Sequence, residues 1–178
     1  MRSICCRKHA YMSQQYIINR LDKREWLPKL GVGKVSIQNH VLYHGGHTKH
    51  GFTLSDPVSQ QLILTCKPEG NWKDYFLCRA AEVFKTNQVE ICRIQYSLRN
   101  PDGKFIINDR VHSLKTTWNR SGFFKRKNSC KYEWEGCTLD LAFDEGMCVA
   151  NAIIEDDIDP LPFIAVSYYL WKQEEFRD

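Results

Sequence analysis

Four groups of side chains in this 178-residue chain have types and spacings that suit chemistry. His40, His44, His47 and His50 fall within eleven residues around Gly45-Gly46. Imidazoles at such spacing can share a zinc ion, with His44, His47 and His50 as the candidate ligands and Cys66 beside them if the flanking strands pair. The other reading is a glycine-rich hairpin loop that leaves its rings in water. Arg120, Lys125, Arg126 and Lys127 stand next to Trp118, Phe123 and Phe124. Basic groups among rings suit anionic phospholipid head groups at a membrane surface. The same mixture suits single-stranded nucleic acid, where bases stack and phosphates meet guanidinium groups, and a solvated hairpin tip over a buried phenylalanine is the structural alternative. Glu155, Asp156, Asp157 and Asp159 could hold calcium, but their spacing is not that of an EF-hand loop, and acids at that place also stabilise a helix N-terminus. Cys5 and Cys6, with basic neighbours, suit reversible palmitoylation or are two ordinary thiols.

Catalytic signatures are not found. The chain has no Gly-x-Ser-x-Gly elbow, no His-Glu-x-x-His, no phosphate-binding loop and no dinucleotide fingerprint. His112 and one of the eight cysteines could meet in space, but most chains so rich in cysteine allow that. The residues therefore favour a non-enzymatic protein with no cofactor. No Cys-x-x-Cys pair occurs and Met1 to Ala10 lack an apolar signal core, which predicts reduced thiols in the cytoplasm, at a membrane periphery or in the nucleus.

These groups need elements to hold them. From Val35 onward short alternating runs recur about every ten residues between turn residues, which is the pattern of a sandwich or barrel. Val35 to Gln38, extended by Val41 to Tyr43, breaks at Gly45-Gly46. Further strands are predicted at Gly51 to Leu54, Gln61 to Cys66, Tyr75 to Phe84, Val89 to Leu98, Lys104 to Ile107, Ser113 to Trp118, Gly122 to Lys125, Lys131 to Trp134, Leu139 to Phe143 and Met147 to Ile154, about eleven in all. Asn100-Pro101-Asp102-Gly103 is a strong turn. After them comes a helix that Asp159 can cap and Pro160 can begin. From Phe163 to Trp171 it is apolar all round apart from Ser167, and such a helix is buried all round. It is too short to cross a bilayer, which needs about 20 apolar residues. The expected organisation is a basic tail or short helix over residues 1–30 and one domain over 31–178, with the strands curled around the helix. Residues 1–130 hold 22 Lys and Arg against 9 Asp and Glu, whereas 131–178 hold 3 against 12. If those segments form separate faces, the basic one attracts anions.

Three pieces resemble the tubby-like superfamily, in its phospholipid scramblase and LURP-one-related branch. They are Gly51-Phe52-Thr53-Leu54-Ser55-Asp56-Pro57 running to Gln61-Leu62, the pair Tyr75 to Arg79 and Glu90 to Arg99, and Ile153 to Pro160 leading into Phe163 to Trp171. The resemblance implies a closed antiparallel β-barrel of about twelve strands around a buried hydrophobic C-terminal helix. It also implies a non-enzymatic role in binding anionic phospholipid of the phosphoinositide kind at a membrane surface, with Arg120, Lys125, Arg126 and Lys127 on the phosphates. The cysteine-rich and proline-rich stretches of scramblases are missing. A nucleic-acid-binding β domain and a protein-interaction scaffold without a small ligand are the alternatives. The residues do not indicate an oligomeric state.

Overall fold

In a computed structural model, residues 13–21, 33–48, 51–70, 73, 81–95, 104–121, 126–144 and 147–175 are described. They form β1 (Ser13–Arg20), β2 (Gly33–Ile37), β3 (His40–Thr48), β4 (Gly51–Ser55), β5 (Leu62–Glu69), β6 (Ala81–Thr86), β7 (Val89–Gln95), β8 (Lys104–Ile107), β9 (Arg110–Ser113), β10 (Lys115–Ser121), β11 (Arg126–Trp134), β12 (Cys137–Asp144), β13 (Met147–Glu155) and the helix α1 (Pro160–Glu175). All neighbouring strands are antiparallel, in the order β10-β11-β12-β13-β1-β2-β3-β4-β5-β6-β7-β8-β9. The two edge strands, β9 and β10, are consecutive in the chain with only Leu114 between them. The sheet therefore returns on itself as a nearly closed barrel, joined at its seam by the chain. Across that seam Phe105 and Trp134 meet edge to face at 5.2 Å.

The barrel wraps the helix, as the apolar run requires. Phe163, Ile164, Ala165, Val166, Ser167, Tyr168, Tyr169 and Trp171 are all buried. They meet alternate inward residues of the strands, including Ile18, Val35, Phe52, Leu54, Phe84, Leu139 and Leu141. Each fully buried side chain of this kind contributes about 1.5–3 kcal/mol of transfer free energy. Asp159 Oδ1 accepts the N–H of Leu161 at 3.1 Å, so the cap and the proline start are both in place. Sixteen residues carry the helix about 24 Å along the barrel. At its far end the Trp171 indole N–H donates to the Cys148 carbonyl at 2.7 Å, Lys172 donates to the Gly51 carbonyl at 2.8 Å, and Arg20 pairs with Glu175 at 2.9 Å.

Three expectations need correction. Ser13–Arg20, assigned from sequence to a tail or short helix, is β1, paired with β13 on one side and β2 on the other. Tyr16 and Ile18 point inward with Ile17 between them, a period of two. Tyr16, Ile17, Ile18 and Leu21 also fit one helical turn, but satisfying two rows of otherwise open backbone groups decides for the strand. The single strand drawn from Val35 to Tyr43 is two strands. Gln38 and Asn39 both adopt positive φ (46° and 71°), the conformation of two-residue hairpin turns. Asn87-Gln88 and Asn108-Asp109 turn the same way, and the second creates β9, which the sequence does not reveal. The expected break at Gly45-Gly46 lies within β3 instead. A Cβ on Gly45 would collide with the Tyr168 ring and hydroxyl, so this glycine gives the helix room.

Candidate functional site

Alternating strand direction divides the barrel into two rims. The upper rim holds the turns at Gln38-Asn39, Asn87-Gln88, Asn108-Asp109 and Glu135-Gly136 together with the start of α1; the lower rim holds its end. Asp56, Asp109, Glu135, Glu155, Asp157 and Asp159 occupy the upper rim, with Lys85, Arg110 and Lys115 among the nearby cations. Lys34, Lys67 and Lys104 stand toward the lower rim, where Glu69 pairs with Arg93 at 3.0 Å. The lopsided charge of the sequence is only partly a polarity along the barrel axis, because Asp144, Glu174 and Glu175 of the acidic C-terminal segment also stand at the lower rim.

The basic cluster lies at the lower rim. The β10–β11 ladder continues past a bulge at Asn119/Arg120 to pair Arg120 with Lys127 and Ser121 with Arg126. Lys125 lies outside the described residues, as do Phe123 and Phe124, and Lys125 adjoins Arg126 in sequence. For Arg120, Arg126 and Lys127 the described part is the backbone, which brings the three positions to one end of the ladder between the edge strand β10 and its neighbour β11. Trp118 is committed elsewhere: it packs against the core and meets Tyr132 edge to face at 6.3 Å.

Three of the four clustered histidines are described. His40 is exposed, His44 is half-buried, and His47 turns inward, where its Nε2 and the Tyr168 hydroxyl share a hydrogen bond of 3.0 Å. Burial, followed by the charges of Lys172 and Arg20, lowers the His47 pKa to about 4, so the ring is neutral. Cys66 lies in the same inward row, with Phe52 between it and His47. His50 lies outside the described residues, and so do Cys5 and Cys6. Among the described residues no group of three or more His, Cys, Asp and Glu is arranged to hold a metal ion. Five cysteines, Cys66, Cys92, Cys130, Cys137 and Cys148, are buried as thiols outside any disulfide. Burial pushes the thiols of Cys92, Cys137 and Cys148 up to about 12 and raises Cys66 further, with Glu82 adding to the effect. Thiols so protonated are poor nucleophiles. Asp56 shapes the β4–β5 turn. Its Oδ1 accepts from the N–H groups of Val58 and Ser59 and from the Ser59 hydroxyl, and these bonds lower its own pKa.

A cavity of about 590 Å3 opens at the upper rim beside the seam. Three turns distant in sequence form it: Ile107 to His112, Glu135-Gly136, and Glu155 to Asp159, with Phe163 of α1 below. Gly136 has φ +80° and a Cβ there would meet Ile158 at 2.8 Å, so glycine both makes the turn and admits the Ile158 side chain. His112 stacks on Phe105 at 5.7 Å and meets the edge of Phe163 at 6.1 Å. Its Nδ1 is 4.0 Å from Glu135 Oε2, too far for a hydrogen bond. Sequence reasoning named His112 only as a possible companion of a cysteine, whereas its contacts are two phenyl rings and a carboxylate. No sequence signal joins the three turns.

No helix among the described residues is long and apolar enough to cross a membrane. No protein-family model, no curated protein and no solved structure matches this chain.

Proposed function

We propose that this barrel is a non-enzymatic module of the tubby-like, LURP-one-related kind that docks on anionic phospholipid through the β10–β11 hairpin end. The observation that supports this reading is the ladder that runs to Ser121 and Arg126, gathering Arg120, Arg126 and Lys127 at the lower rim. A hairpin end that gathers cations in this way is drawn toward an anionic surface. The interior supports a surface mode, because the helix fills it and leaves a lipid tail no place among the inward side chains. Each basic residue near such a surface is worth about 1 kcal/mol, so the four together give attachment that weakens as salt rises. Trp118, packed on Tyr132, is not positioned to stack on a base and so lends little to the nucleic-acid reading. Flotation of the purified protein with vesicles of phosphatidylcholine alone, with added phosphatidylserine, and with added phosphoinositide tests the proposal. Association with the anionic vesicles at low salt is expected; absence of association, or equal association with phosphatidylcholine alone, defeats it.

A further inference from the structure

We propose that the upper-rim cavity binds a small organic cation, an ammonium or guanidinium group carried on an apolar arm. Four carboxylates line it, those of Glu135, Glu155, Asp157 and Asp159, against one cationic side chain, Arg110. Acids alone do not make a site, but His112 supplies an independent sign. The residue is 8% exposed, and its buried Nδ1 has no hydrogen-bond partner among the described residues. A buried ring nitrogen without a partner costs free energy, and a ligand that donates to it or accepts from it removes that cost. Ile107, Ile158 and Phe163 form the apolar part of the wall, so the cavity combines a greasy surface with a few convergent polar groups at a size typical of small-molecule sites. The carboxylates are not arranged as a metal set. They are distributed around the wall, where a charge spread over a larger organic group meets several of them. This cavity lies at the opposite end of β11 from the basic hairpin, about 26 Å away along the nine-residue strand, so cation binding is independent of lipid docking.

Free amines and the lysine side chain of a polypeptide share this chemistry, and the test separates them. Titration calorimetry is run with 2-phenylethylamine, agmatine and Nα-acetyl-lysine amide, beside the neutral 2-phenylethanol and the anionic 3-phenylpropionate. A Glu135→Gln/Asp157→Asn variant is titrated in parallel; the Glu135 side chain is 81% exposed and Asp157 is also at the surface, so the barrel keeps its thermal midpoint. Asp140→Asn, on the outer face of β12, serves as control. At least one amine is expected to bind with millimolar or better affinity, to weaken by about tenfold or more in the double variant and to be unchanged in Asp140→Asn. Preference for the free amines identifies a metabolite-like ligand, and preference for the acetylated lysine identifies a polypeptide. On binding, the His112 ring nitrogen shifts in 15N NMR spectra. Equal binding of the alcohol, tighter binding of the carboxylate, no binding of any amine at about 10 mM, or indifference to the double substitution overturns the proposal.

Discussion

Gly45→Ala tests the relation between barrel and helix by its sign alone. Gly45 sits inside β3 opposite Leu54, with no left-handed φ to preserve. In a strand with open space above it, replacing glycine by alanine stabilises by about 0.5–1 kcal/mol, because the unfolded chain loses freedom. Here the added methyl collides with the ring and hydroxyl of Tyr168. That ring is itself held by Phe52 at 4.8 Å, Trp171 at 5.1 Å and the bond to His47, so it has nowhere to move. Overpacking of this kind costs about 1–3 kcal/mol, which exceeds the entropic gain, and the net effect is destabilisation. In urea titrations followed by tryptophan fluorescence the midpoint should fall. Tyr168→Ala alone should cost about 3–5 kcal/mol by opening a cavity. Since both substitutions act on one volume, the double variant should cost about 1–3 kcal/mol less than the sum of the two. Stabilisation by Gly45→Ala, or additivity within about 0.5 kcal/mol, would mean that Tyr168 does not lie over β3 and that the helix does not run through the barrel.

Other consequences follow from the same core. His47 titrates near 4 when folded and near 6.5 when unfolded, so its contribution is complete above pH 6.5 and is lost as pH falls from 6.5 toward 4. The difference corresponds to at most about 3 kcal/mol, and partial exposure reduces it to about 1–2 kcal/mol. The urea midpoint should therefore drop between about pH 7.5 and about pH 4.5, and His47→Gln should remove much of the drop. Trp171→Phe leaves the buried Cys148 carbonyl without its indole donor and should cost about 1–3 kcal/mol, read as a thermal midpoint lower by about 2–4 °C per kcal/mol. With five of the eight cysteines buried, at most three thiols should react quickly with Ellman's reagent in the native protein, and all eight in denaturant. A faster fourth thiol would contradict the packing.

The parts of this fold that the sequence exposes are those with a local cause. Strand alternation from Val35 to Ile154 marks a β domain, and the apolar circumference of Phe163 to Trp171 marks a helix that must be enclosed. Asp159 and Pro160 fix where it starts. β1 was hidden because its apolar residues fit either period, and only pairing across to β13, more than a hundred residues later, chooses between them. Turns at Gln38-Asn39 and Asn108-Asp109 lack glycine and proline, so the chain carries no obvious punctuation there. The expected basic tail and the merged strand both come from these two causes. Gly45 has the opposite history: it resembles a strand break locally, and its reason is a tyrosine more than a hundred residues away. The basic cluster is legible as a run, and the backbone adds that Arg120, Arg126 and Lys127 share a hairpin end. The acidic cavity was not legible, because Arg110 to His112, Glu135 and Asp157 converge only when the two sheet edges meet.

Membrane docking is tested most sharply by two triple variants in one flotation assay on phosphatidylserine vesicles at low and high salt. One variant replaces Lys125, Arg126 and Lys127 by alanine; the other replaces Lys34, Lys67 and Lys104, which carry the same total charge but stand off the hairpin. Docking through the hairpin predicts that the first variant loses association by about a hundredfold, from about 1 kcal/mol per residue, while the other retains most of it. Equal losses would mean that net charge alone drives binding, and full retention in the hairpin variant, or binding of oligonucleotides in place of vesicles, would contradict the assignment of the lipid site.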